Sequence, residues 1–148
     1  MKRIPLSLFT FLFLLSGLCA APTKTVWQIG EKNHSASELA LSPDKYKEFL
    51  ANDFGWEDRF YIIGLSSPQK DFPYVLPGPA DHWGGTSYTA GIRTHVLNIL
   101  FGMKEVPETD SWKLIIDLLD THHELPALFK ITINGKSWKY ALPKGSGK

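Results

Sequence analysis

Cysteine is all but missing from this chain, which carries one, at position 19, in 148 residues. A single thiol cannot close an intrachain disulfide, so the fold must be held by its packed interior. Excess charge is missing too. Sixteen basic residues face 15 acidic ones, which removes the electrostatic case for nucleic acid or an anionic lipid surface. No apolar run reaches the roughly 20 residues of a membrane-spanning helix. The longest, from Ile4 to Leu15, follows Lys2 and Arg3 and precedes small residues, and that order is the pattern of a secretory signal peptide. Internal repeats, low-complexity tracts, phosphate loops and nucleophile elbows are absent as well.

The leader is assigned to residues 1–21. It predicts export to the periplasm or beyond, with no stable membrane insertion after cleavage. A lipid anchor on Cys19 would require a small residue just ahead of it, where the chain has Leu18. Removing Lys2 and Arg3 leaves 14 basic against 15 acidic residues, so the balance moves from +1 to −1. The remaining segment, 22–148, is long enough for one domain burying roughly two thirds of its unfolded surface.

Short β-prone runs dominate that domain. "TVWQIG" at 25–30 reads as a first strand closed by Gly30. "SPDKYKEFLAND" at 42–53 follows as a short helix, with Ser42 as N-cap, Pro43 in the first helical position and Asp44 in the first turn. Further strands are expected in "DRFYIIGLSS" at 58–67, in "RTHVLNILFGM" at 93–103 and in "SWKLIIDLLD" at 111–120. The last of these also fits a helical period, and its β-prone Trp112, Ile115 and Ile116 favour strand. "LFKITINGKSWKYAL" places Asn134 and Gly135 between two alternating runs, a hairpin signature. The sum predicts an all-β protein, an antiparallel β-sandwich with one short helix after the first strand.

One stretch resists both helix and strand: "PYVLPGPADHWGGTSYTAG" at 73–91, with three prolines and four glycines. A loop this long is more often functional than a neutral connector, and Tyr74, Trp83 and Tyr88 give it rings to work with. A pyranose has an apolar C–H face and a rim of hydroxyls, so it is held by flat aromatics with polar groups around them. Trp83 and Tyr88, with Asp81, His82, Arg93 and Tyr74, form the candidate carbohydrate site. The competing reading folds Trp83 back over one end of the sandwich. Trp27, Trp112 and Trp138 lie inside strand-like runs and are assigned to the core or a sheet face.

Other chemistries find less support. His82 as base and Arg93 as charge stabiliser could serve a lyase, but their spacing carries no catalytic motif, and His95 falls on the apolar face of its strand. No catalytic residue is assigned. His122 and His123 are adjacent, so in an extended chain they point apart and cannot easily share a metal ion. Asp110, Asp117 and Asp120 could help hold a structural calcium ion, although they lack regular ligand spacing; no other cofactor is implied.

Taken in order, "VWQIGEKNHSASEL", "WEDRFYIIG", "YVLPGPADHWGG", "THVLNILFG" and "ITINGKSW" resemble the blocks of the carbohydrate-binding-module-like domain that ends family 4 polysaccharide lyases, the rhamnogalacturonan lyases. The likeness spans residues 26 to 145. It implies a jelly-roll β-sandwich beside a catalytic β-domain and a fibronectin-like domain, in an enzyme that cleaves the rhamnogalacturonan of pectin by β-elimination. The family's catalytic domain has no counterpart here. The expectation is therefore a module truncated at its C-terminus, binding or positioning pectic polysaccharide while catalysis lies elsewhere. A structural domain docking onto a catalytic neighbour and a self-contained lyase are the alternatives.

Overall fold

The computed structural model describes residues 24–55, 59–83, 93–106 and 111–147. The expected leader, Cys19, Tyr88, the "GGTS" stretch at 84–87 and Asp110 lie outside them. Strand is the main regular structure: β1 (Arg59–Ile62), β2 (Leu97–Leu100), β3 (Leu128–Ile133) and β4 (Lys136–Ala141). Among these residues, helix is confined to a 3-10 turn at Tyr46–Glu48 and one α-helical turn, α1 (Pro68–Asp71). The all-β expectation holds at this level.

The strands form two separate pairs. β1 and β2 run parallel, Arg59 opposite Leu97 and Ile62 opposite Leu100, where an antiparallel arrangement was expected. Parallel neighbours need a crossover of a dozen residues or more, and the stretch from Ile63 to Val96 supplies it. β1 ends as the sequence suggests: Gly64 takes φ 85, and the Leu65 and Ser66 amides turn back to the Ile62 carbonyl at 3.0 and 2.8 Å. β3 and β4 are the foreseen hairpin. Ile133 pairs with Lys136 around a two-residue loop, and Asn134 and Gly135 both have positive φ, 48 and 80, as a type I′ turn requires.

Two expected strands are not there, and the expected helix is reduced to one turn. Residues 25–30 are irregular, and Trp27 instead meets Phe101 at 5.6 Å between ring centres. Residues 111–120 form no strand; β propensity gives a strand only where another strand receives its hydrogen bonds. The helix expected from Pro43 starts three residues later, because Asp44 sits at φ 59, outside helical space. Ser42 therefore caps nothing, and only the Tyr46–Glu48 turn forms. The Ser-Pro start signal does work at Ser67 and Pro68, where Pro68 opens α1 and the Ser67 amide donates to Asp71 Oδ2 at 2.7 Å.

The core is small and lies in the first half of the chain. Ala40, Phe49 and Phe54 pack together, with Leu41, Leu50 and Trp83 against them. Phe49 and Phe54 meet at 5.7 Å, and the Arg59 guanidinium lies 4.1 Å from the Phe54 ring centre, a cation–π contact that ties β1 to the core. Ala40 is fixed from outside: its amide reaches the carbonyls of Pro68 and Phe72, and its carbonyl receives the Tyr74 amide at 2.9 Å. That backbone clamp sets the start of the long loop beside the core.

Candidate functional site

The described half of the long loop, 73–83, is shaped by its own backbone. Pro73 bridges to Ala40, which places Tyr74. Next comes a turn at Gly78–Asp81, closed twice: Asp81 N–H donates to the Gly78 carbonyl at 3.0 Å, and Gly78 N–H donates to Asp81 Oδ2 at 2.7 Å. Asp81, expected as a sugar partner, thus has one carboxylate oxygen engaged in shaping the loop.

Two residues beyond this turn, Trp83 is half-buried. Its indole lies 5.3 Å from the Tyr46 ring at 73° and 5.8 Å from Phe49 at 81°. Both contacts are edge-type, the geometry that ring quadrupoles favour. Phe49 in turn meets His95 at 5.5 Å and 89°, so the histidine is half-buried against the core, as its place on the apolar side of the strand predicts.

Tyr74 joins the same neighbourhood. Burial is the main cause pushing its phenol above the ordinary value, with smaller contributions from the Asp44 carboxylate and the Tyr46 phenol. Tyr46 links Tyr74 to Trp83: it meets Trp83 and, like Asp44, acts on the Tyr74 phenol, and Lys47 reaches over its ring at 5.9 Å. Tyr46 and Asp44 were not among the expected site residues. His82 is exposed and Arg93 half-buried. Tyr88 lies outside the described residues.

A separate small cleft opens between Phe54, Arg59, Pro73, Leu76 and the His95–Leu97 stretch, about 290 Å³ with its mouth included. None of the five described candidate site residues lines it, and the space it encloses, about 20 Å³, has room for about one water molecule, not for a sugar ring. A polymer that stacks on surface rings needs no such pocket.

Elsewhere, two readings of candidate ligands change. His122 and His123 do not point apart. Their rings stack at 4.8 Å and 26° because the chain bends there: the Glu124 and Leu125 amides both donate to His122 Nδ1 at 3.0 Å, and His123 Nδ1 lies 2.9 Å from the Gly147 carbonyl. Asp120 is engaged in a clasp. Its Oδ1 accepts the Thr121 and Ser146 amides and its Oδ2 the Ser146 hydroxyl, all within 2.8 Å. These bonds, the Ser146 hydroxyl foremost, hold its carboxyl below the ordinary value of 3.8. Among the described residues no three His, Cys, Asp or Glu side chains gather as a metal site.

An edge-packed, half-exposed tryptophan offers a flat face of the kind that sugar rings stack on, and the family comparison points the same way. The model of the CBM-like domain, domain III of polysaccharide lyase family 4, matches residues 25–147. The chain belongs to this family. No curated protein and no solved structure gives a match. The match begins at Thr25, next to the first described residue, and runs through the long loop and the hairpin, so all six expected site residues fall within the CBM-like domain. Among the described residues, no helix of this CBM-like domain is long and apolar enough to cross a membrane.

Proposed function

We propose that this CBM-like domain is an exported carbohydrate-binding module that holds or positions pectic polysaccharide of the rhamnogalacturonan type, with the cleaving chemistry in another domain or chain. The observation that carries the reading is the half-buried Trp83 held edge-on by Tyr46 and Phe49. Two ring contacts fix the indole's orientation before any ligand arrives, which lowers the ordering cost of binding. His82, next to Trp83 in the chain, and Arg93 and Tyr88 remain candidate contacts, as the sequence suggests. The fold behind it is read as a jelly-roll sandwich, and the leader as the signal that sends it to the periplasm or outside the cell.

Affinity electrophoresis through gels containing rhamnogalacturonan tests this. Trp83→Phe keeps a ring in contact with Phe49 but shrinks the stacking surface, and it should weaken retention several-fold, against about tenfold for Tyr74→Ala with Tyr88→Ala. Retention unchanged in both variants would remove the site. Release of unsaturated, ultraviolet-absorbing product by the purified chain would show instead that it is itself the lyase.

Docking onto a catalytic neighbour is a second reading with its own support. In the 111–119 stretch Trp112, Ile115 and Leu119 keep 55%, 64% and 55% of their surface in solvent, a run that a packed neighbour would cover.

A further inference from the structure

The β3–β4 hairpin carries a second ring surface, distant in sequence from the Trp83 neighbourhood. Lys136, Trp138 and Tyr140 occupy every second position of β4, so all three project from one face. Steps of two residues measure about 6.8 Å in such a strand, so the row extends over about 14 Å. Across the pair stand Ile133, Ile131 and Phe129, an apolar bed beside the rings. Trp138 and Tyr140 keep 45% and 52% of their surface in solvent.

Charge in this part of the chain is one-sided, a fact that the whole-chain balance conceals. Between Leu125 and Gly147 the sequence has Lys130, Lys136, Lys139 and Lys144 and no Asp or Glu. Lys130 and Lys139 stand directly opposite each other, an arrangement that destabilises a strand pair. None of the four lysines is ion-paired among the described residues. The opposite face, where Lys130 and Lys139 sit, also bears the Thr132 and Ser137 hydroxyls, 2.8 Å apart.

Flat rings attract the C–H face of a sugar, and unopposed ammonium groups attract carboxylates. On the ring face that group is Lys136, at the end of the row, while Lys130 and Lys139 add positive charge from the other face of the same ribbon. We propose that the Lys136, Trp138 and Tyr140 row binds an anionic polysaccharide bearing uronate carboxylates, with sugar rings stacked on Trp138 and Tyr140 and a carboxylate drawn to Lys136. This rests on reading the domain as a glycan-binding module and adds a surface to it that does not use Trp83.

The test compares retention of the full chain in gels containing polygalacturonate with gels containing neutral dextran. The wild type is retained by polygalacturonate more than by dextran, and added salt weakens that retention, since screening acts over about 8 Å at 0.15 M. Trp138→Ala with Tyr140→Ala lowers retention about tenfold. Lys136→Gln leaves the rings in place, lowers retention several-fold and flattens the salt dependence. Thermal melts confirm that each variant is folded. Retention of both variants at the wild-type level overturns the hairpin surface while the module reading stands. Equal wild-type retention by dextran overturns the anionic class. Retention by neither polymer nor rhamnogalacturonan removes the module reading and the surface together. Variants that change the sedimenting mass without changing retention mark the face as a protein contact and also overturn the proposal.

Discussion

The two ends of this chain have similar apolar content and very different burial. Ala40, Phe49, Phe54 and Tyr61 are 1–6% exposed, whereas among the described residues from 111 to 147 no side chain is buried to that degree. Yet the second region holds Trp112, Ile115, Ile116, Leu118, Leu119, Trp138 and Tyr140. The difference lies in what faces each segment. Ala40 is clamped by backbone bonds to the 68–74 stretch, so the Phe49 turn and the Trp83 loop close on each other from opposite sides. The hairpin has only its own two strands, and a two-stranded ribbon buries little without a second layer.

Removing the ring of Phe49 attacks the contrast at its strong end. Phe49→Ala should cost about 3–5 kcal/mol in urea unfolding, whereas Trp138→Ala, at a half-exposed position, should cost below about 1 kcal/mol. Equal losses would mean that the hairpin face is covered in solution. Gly145→Ala comes next. A methyl group there would strike the Asp120 carboxylate and the Thr121 backbone, and forcing it in should cost about 1–3 kcal/mol, read as faster amide exchange at Ser146 with the Phe49 core unmoved. Gly135→Ala should cost about 1 kcal/mol, because φ 80 strains any residue with a Cβ.

Acid gives the mildest probe and reaches both regions. In the first, Glu38 accepts the Glu31 amide at 2.8 Å, and that bond, followed by one from its own backbone, holds its carboxyl below the ordinary 4.5. In the second, the Ser146 hydroxyl and amide do the same for Asp120. Both folded-state values are depressed. The stabilisation each group gives is thus complete above the ordinary carboxylate value and is lost as pH falls through the lower folded one. Amide signals of Glu31 and Ser146 followed from about pH 6 to about pH 2 should shift only in the acid part of that range. A shift near neutrality would contradict both carboxylate assignments.

What could be read in advance was local. The Asn134 and Gly135 turn contains its own geometry, and β1 and β2 announce themselves by branched and aromatic residues closed by Gly64 and Gly102. The Ser-Pro pairs show where local reading stops: the same two residues open α1 at Ser67 but not at Ser42, because Asp44 has a positive φ that no spacing rule supplies. Parallel pairing of β1 with β2 depends on where a 34-residue connection returns the chain, which neither strand encodes. For the site, ring-bearing Trp83 and Tyr74 were legible from composition, while Tyr46 and Asp44 became neighbours through a turn begun three residues late.

The Asp120 clasp makes the hairpin a closed lobe. Chain leaves at Asp120 and returns at Ser146, and the two ends are tied by two hydrogen bonds from Ser146 to the Asp120 carboxylate and by the His122–Gly147 bridge. A protease cut at the Asn134–Gly135 tip would sever the polypeptide but not release either piece, so nicked protein should run as one species until acid or denaturant undoes the knot of bonds at its base.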